Sequence, residues 1–455
     1  RVRAEESLVE SCDILVVGEG IAGCTATLAA RAQGANVLVI EKAPKDVPHG
    51  NTAFSGGSFR RTSEAYPAEK FYQNMISLSG GRADPELTKI MVEKSRQARD
   101  WLTALGVPWT SKSRDPGAAD QVDGQGKALA EILRRAVTAR NIKILQETEA
   151  YSLILEGGRI QGVRIKTASG NSEIRSRAVI LAAGGFQANP EMVTRYIGPA
   201  GNHLVLRGSP YNTGDGIRMA QEVGAKIDWM DDFHGGLIHY GYKQHLEEGA
   251  MAGMRSMKKY EVGILVNQQG SRFVDEGEYP SDRTYAKFGK LVALTQPGGV
   301  AYVIFDSASK KTINPDYTGP DRGPIEAGSI RELATKVEID PDALEHTVTA
   351  YNDSIQGDQC LSLRPPKTNF ARRIDESPFC AYKVTGGFTF TFGGLWTNTK
   401  GQVLDGGRKP IPALYAAGEI TTGIFYGNYA GGSSLPRCTV YGRIAGESAA
   451  EYIRQ

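Results

Sequence analysis

Cys12-Asp13-Ile14-Leu15-Val16-Val17-Gly18-Glu19-Gly20-Ile21-Ala22-Gly23 decides the reading of the whole chain. The first six residues form a short apolar run, and Gly18-x-Gly20-x-x-Gly23 opens onto a small-residue helix, Cys24 to Gln33. A second apolar run, Val37-Leu38-Val39-Ile40, follows Gly34 and ends at Glu41. Apolar β-branched runs bounded by glycine predict buried parallel strands of a βαβ unit. In such a unit the first glycine makes the tight turn, the second lets a pyrophosphate approach the backbone, and the third packs helix on strand. The helix N-terminus faces the negative charge. Glu41, 18 residues after Gly23, stands where a carboxylate accepts hydrogen bonds from a ribose diol. Together these features predict dinucleotide binding. The plainer alternative is a glycine-rich turn beside a surface glutamate.

Next outward comes Gly50-Asn51-Thr52-Ala53-Phe54-Ser55-Gly56-Gly57, a second small-residue loop with hydroxyl and amide groups. Loosely bound NAD needs no such loop. A tightly held flavin nucleotide does, because its diphosphate and ring system extend beyond the first turn, so FAD is the expected cofactor. Leu87, Met91, Ser95, Ala98, Leu102 and Leu105 recur at intervals of three or four, one face of a helix stopped by Gly106 and Pro108. Residues 127–145 repeat helix then strand. A small antiparallel excursion is expected over 151–177, turning at Gly157-Gly158, before a buried strand returns at Ala178-Val179-Ile180-Leu181. From Trp229 to Pro378 this rhythm is lost and histidines, charges, prolines and aromatics rise. It resumes at Leu414-Tyr415-Ala416-Ala417-Gly418-Glu419. The expected fold is α/β: a doubly wound, Rossmann-like FAD-binding domain from 1–228 and 379–455, with an inserted α+β capping domain at 229–378.

Composition narrows the partners. Lys+Arg 53 against Asp+Glu 51 leaves a net charge of +2 with no basic stripe, which argues against nucleic acid. No apolar run approaches the ~20 residues of a membrane span. Cys12, Cys24, Cys360, Cys380 and Cys438 form no CxxC pair, so iron–sulfur, haem and metal sites are not expected. Scattered thiols suggest a reducing, cytoplasmic setting. The chain opens on Arg1 rather than methionine, so a leader removed before it stays open. A second nucleotide fingerprint is missing, so electrons are expected to pass to a separate acceptor: a partner protein, a quinone or dioxygen.

The segments GEGIAG (18–23), GNTAFSGG (50–57), LAAGGF (181–186), NTGDG (212–216), RFVDEG (272–277), YAAGE (415–419), YAGGSSL (429–435) and YGRIAG (441–446) occur in this order. Jointly they resemble the fumarate reductase and succinate dehydrogenase flavoprotein family over nearly the whole chain. The resemblance implies that Gly18, Gly20, Gly23, Ala22, Glu41 and Lys42 hold the pyrophosphate and adenosine ribose. Asn51, Thr52, Gly56 and Gly57 would line the diphosphate and flavin, and Ala150 would pair with adenine. Ala183, Gly184 and Asp215 would close over the ribityl chain, and Glu419 would bind a sugar or ribityl hydroxyl. Ser434 and Leu435 would offer backbone N–H groups to the flavin's pyrimidine edge. Membrane-bound members link their flavin to a histidine in the second loop. Asn51 stands there instead, which implies non-covalent FAD.

The active-site motifs depart from the dicarboxylate enzymes. Thr389 and Phe390 replace a histidine pair, and Tyr429 replaces a substrate-clamping arginine, so a bidentate carboxylate grip is lost. Pro280 stands where a proton-delivering arginine follows the acidic pair Asp275-Glu276, and the nearest arginine is Arg283. RFVDEGE…TYAKFG, FTFTFGGL and FYGNYAGGSSL look like the tricarballylate dehydrogenase subgroup. The implied activity is hydride transfer at flavin N5 to or from a C–C bond beside a carboxylate or ketone, with a proton moved at the neighbouring carbon. The 3-ketosteroid dehydrogenases and the fumarate reductases are the alternatives, and from another class a non-catalytic flavin-binding subunit. Candidate catalytic residues are His234, Arg283, Tyr426 and Tyr429, with Arg255 as a further anion clamp. Their plainer readings are a loop histidine bonded to an aspartate, a surface ion pair of Arg283 with Asp282 or Glu278, and tyrosines that only line the pocket. Arg437 and His239 read as structural.

Overall fold

The computed structural model describes residues 10–48, 50–110, 117–241, 256–313 and 323–455. Five parallel strands form the centre of the larger sheet, in the order Pro410–Ala416, Gly170–Leu181, Glu10–Val17, Val37–Ile40 and Lys143–Leu145. Every residue of Val37–Ile40 is buried, as expected where helices cover both faces of a sheet. The excursion predicted over 151–177 is a hairpin of Glu149–Glu156 and Arg159–Thr167. Gly157 and Gly158 turn it with φ of 59° and 77°, the conformation a two-residue hairpin loop requires. The following strand, Gly170–Leu181, has two roles. Its first half pairs antiparallel with the hairpin, and it runs parallel to the first strand.

The chain ends meet because two helices lie unusually close. A Cβ on Gly442 or Gly446 of the C-terminal helix, Ser434–Tyr452, would come within 2.6 Å of Ala22 O or 2.2 Å of Ala26 O in the first helix, Ile21–Ala32. Side chains there would push the C-terminal helix off the dinucleotide turn. The periodic helix forms as Pro85–Ala104, its cap Asp84 accepting the Leu87 N–H at 2.9 Å. Leu87, Met91, Ser95, Ala98 and Leu102 are its buried face.

A second sheet builds the cap. Its hub is the long strand Phe379–Thr391, which pairs with Phe233–His239, Ala301–Phe305 and Ile325–Ala327. The sequence reading grouped 379–391 with the FAD domain. Toward its end the same strand also pairs in parallel with Val205–Leu206, so it joins the cap strands to a segment of the first 228 residues. Composition does not say which sheet a mixed strand joins, because pairing is settled by neighbours far along the chain. Among the described residues no helix is long and apolar enough to cross a membrane.

Candidate active site

One cleft runs between the two sheets' domains and is walled by both chain ends. Its deep end is built by the first βα turn. Gly18 has φ +106°, and a Cβ on it would meet Ala182 O at 2.5 Å. A Cβ on Gly23 would lie 1.9 Å from Gly18 O. Glycine at both places therefore lets strand, turn and helix stack. The Gly20 N-cap offers no side chain, and Thr52 Oγ1 accepts the Ile21 N–H at 2.9 Å, joining the second loop to the first turn. Glu41, at the end of its strand, accepts the Glu19 and Ala43 N–H groups at 2.9 Å each. Lys42 is paired with Asp215 at 2.6 Å. A helix N-terminus, a flanking carboxylate and glycines that keep the backbone bare form a donor set that fits a dinucleotide.

Further along the cleft, partly buried Asn51 and buried Glu419 form a hub. Asn51 Nδ2 donates to Glu419 Oε2 at 2.8 Å and to Thr389 O at 2.9 Å, while its Oδ1 accepts the Ser209 N–H at 2.8 Å. Asn212 Nδ2 and the Thr391 N–H also donate to Glu419, at 3.0 and 3.2 Å. Burial pushes the Glu419 carboxyl up to about 7, partly offset by the Thr391 N–H, Arg437 and Asn51.

Beyond the hub the wall is aromatic and cationic. A β-bulge between His234 and Gly235 opens opposite Phe390, a device that re-aims side chains. His234 is 1% exposed, with ring centroids 5.0 Å from Tyr285, 5.1 Å from Phe390 and 5.0 Å from Tyr429. Its Nδ1 meets no hydrogen-bond partner among the described residues. Burial, with Arg207, Lys258 and Lys290 nearby, holds this imidazole well below its ordinary value, so it is neutral at pH 7. Arg207 Nη1 donates to Thr389 Oγ1 at 2.8 Å, and Lys258 Nζ sits 3.0 Å from the Tyr285 ring centroid. The Tyr429 hydroxyl accepts the Ser434 N–H at 3.0 Å, and burial pushes that phenol upward.

Comparison with known proteins places this geometry. Residues 13–435 match the FAD binding domain family. Over 465 residues the chain is 30% identical to a fumarate reductase (cytochrome) of Shewanella frigidimarina, covering 98% of this chain and 78% of that one. The chain belongs to the fumarate reductase and succinate dehydrogenase flavoprotein family. It is an FAD-dependent oxidoreductase. A urocanate reductase of Eggerthella lenta is 30% identical over 479 residues, 98% of this chain and 76% of that one. The solved 3-ketosteroid-Δ4-(5α)-dehydrogenase of Rhodococcus jostii RHA1 superimposes with a TM-score of 0.77 at 25% identity, covering 99% of both chains.

All cofactor residues expected from the family resemblance line the cleft except Gly23, which sits behind Gly18. Among the catalytic candidates, His234 and Tyr429 lie on its wall. His234 occupies a strand, and Asp232 is engaged by Lys290, so the loop His–Asp pair does not form. Arg283 is not on the wall: the turn Ser281–Arg283 brings Asp282 there, followed by Tyr285. Glu278, its suggested ion partner, pairs with Lys287 at 2.6 Å. Tyr426 also lies off the wall, packed 5.2 Å from Trp229 and 4.2 Å beneath Arg82. In tight turns adjacent side chains diverge, so motif spacing alone does not tell which one enters a cleft. Arg255 lies outside the described residues. Sequence reasoning missed Arg207 and Lys258. Arg207 stands directly ahead of the GSPYNTGDG run, which was a readable signal, whereas Lys258 belongs to no motif.

Proposed function

We propose that this chain transfers hydride between FAD and one carbon of a C–C bond beside a carboxylate or carbonyl, as a tricarballylate dehydrogenase-like enzyme. What carries the reading is the pairing of two cations, Arg207 and Lys258, with the rings of His234, Tyr285, Phe390 and Tyr429 on one wall. Cations held in a low-dielectric cleft favour an anionic substrate. When bound, the flavin supplies the hydride donor or acceptor. Arg207 and Lys258 would orient the acid, and Phe390 and Tyr429 would exclude water. Neutral His234 and the Tyr429 hydroxyl are the groups on hand to hold a proton near the reacting carbons.

The steroid dehydrogenase likeness supports a second reading, a ketone desaturase using wall tyrosines. The cations favour the acid. Electrons would pass to a separate partner protein, quinone or dioxygen. No disulfide joins any of the five cysteines, which supports a reducing, cytoplasmic setting. With Asn51 in the second loop, the FAD is held non-covalently, and acid denaturation should release all of it; yellow colour retained on the denatured polypeptide overturns that.

Anaerobic mixing of the reduced holoenzyme with unsaturated carboxylates and with a neutral enone tests the reaction class. Rapid reoxidation by acids, lost with Arg207→Gln, is expected. Reoxidation by the enone alone supports the ketone reading, and none by either supports a non-catalytic flavin subunit.

A further inference from the structure

Just outside the cleft, a buried ion pair sits where three segments of the chain meet. Asp232 is 4% exposed, and its Oδ1 pairs with Lys290 Nζ. Oδ1 also accepts the Phe233 N–H at 3.0 Å, while Oδ2 accepts the Gly427 N–H. Lys290 Nζ donates in turn to Gly427 O at 3.4 Å. Asp232, Lys290 and Gly427 do not line the cleft, yet each stands close in sequence to a ring on the substrate wall. Asp232 is two residues before His234, Gly427 is two before Tyr429, and Lys290 is five after Tyr285. Those rings converge on His234, whose centroid lies 5.0 Å from that of Tyr285 and 5.0 Å from that of Tyr429.

The helix Tyr285–Thr295 carries both Tyr285 and Lys290 and lies directly on the strand of His234. A Cβ on Gly235 would meet Lys290 N at 2.6 Å, and one on Gly289 would meet Gly235 O at 2.3 Å. Such bare backbone brings helix and strand together but offers no side-chain ridge to stop one sliding along the other. A buried ion pair supplies that register: it adds little net stability over apolar side chains of the same volume, but it tolerates few geometries. We propose that Asp232 and Lys290 are a positioning pair that sets where His234, Tyr285 and Tyr429 stand relative to one another, without touching substrate or FAD. That these rings face the reacting carbons rests on the function proposed above. Displacing groups at such a wall by about 1 Å costs up to about 100-fold in rate.

Carbethoxylation of His234 by diethyl pyrocarbonate, read on the holoenzyme by peptide mass spectrometry, tests the pair without any substrate. Exposed His346 serves as the internal reference. His234 should label slowly in the wild type and about ten-fold faster in Asp232→Asn and Lys290→Met, with His346 unchanged. Lys290→Arg, which keeps the charge, should label like the wild type. FAD affinity should not change, whereas reoxidation by the best acid found should slow about 10–100-fold at saturation in the two fast-labelling variants. Equal labelling of His234 in every variant overturns the proposal, as does an arginine variant that labels like the methionine one. Weakened FAD binding, or full-speed reoxidation in a variant whose His234 labels fast, also overturns it. If no acid reoxidises the wild type, the functional reading fails, and labelling with its arginine rescue still decides the pair. If the single variants do not fold, the Asp232→Asn/Lys290→Met double variant, which buries no unpaired charge, carries the same test.

Discussion

Asn51 donates its side-chain amide to Glu419 Oε2 across 2.8 Å, tying the second glycine loop to the YAAGE turn 368 positions later. The same amide holds Thr389 O and the Ser209 N–H, so three chain segments share one residue. Asn51→Ala should leave buried partners unsatisfied and cost about 1–3 kcal/mol. Urea unfolding should show a lower midpoint with an unchanged slope. An unchanged midpoint would mean water replaces the amide without loss.

Glu41 accepts two buried N–H groups and flanks the dinucleotide turn. Glu41→Ala should therefore weaken FAD affinity by about ten-fold or more and also lower apoprotein stability by about 1–3 kcal/mol. Fluorescence titration with FAD and urea unfolding of the apoprotein measure the two effects separately. Normal affinity in a destabilised apoprotein would limit Glu41 to a structural part.

Glu419 is raised from 4.5 to about 7 in the folded chain. The folded state therefore binds a proton more tightly than the unfolded one, and the stability this contributes is complete below about pH 4.5. It is lost as pH rises through about 7, up to about 3 kcal/mol. Glu419→Gln, which cannot ionise, should flatten apoprotein stability between these limits. Urea midpoints at both ends of the window check it, and an undiminished slope in the variant would place the titration elsewhere.

Fumarate should be a poor substrate. The family resemblance puts Tyr429 in the place of the fumarate enzymes' clamping arginine, and its hydroxyl is engaged by the Ser434 N–H. The same resemblance puts Phe390 in the place of a histidine, and its ring centroid lies 5.4 Å from that of Tyr429. A dianion there would leave one carboxylate against rings, costing several kcal/mol, and each 1.36 kcal/mol is about ten-fold in rate. Stopped-flow reoxidation by fumarate should be slower by orders of magnitude than with the best acid found. Rapid, saturable turnover would show that Arg207 and Lys258 rebuild the clamp.

The nucleotide end was legible because local rules write it. Gly18, Gly20 and Gly23 are demanded by a turn within one βαβ unit, and Glu41 follows at the length of one helix and one strand. The buried face from Leu87 to Leu102 was legible for the same reason, since 3.6-residue periodicity is a property of a single segment. The substrate end lacks such a rule. His234 was readable from its place at the start of the cap, yet its neutrality comes from burial among Tyr285, Phe390 and Tyr429 and from cations on other segments.

By itself, then, the sequence determined the FAD-binding fold and the glycine turn and flanking acid of the dinucleotide cleft, because each rests on short-range spacing. Tertiary structure alone decided that Phe379–Thr391 pairs with Val205–Leu206 as well as with Phe233–His239 and Ala301–Phe305, and that Arg283 and Tyr426 miss the cleft wall. It also decided that Arg207 and Lys258 reach that wall and that Asn51 locks Glu419. The reason is physical: strand partners, side-chain direction in tight turns and the desolvation that sets a carboxyl or imidazole are fixed by residues hundreds of positions away, brought near only when the two chain ends close on one another.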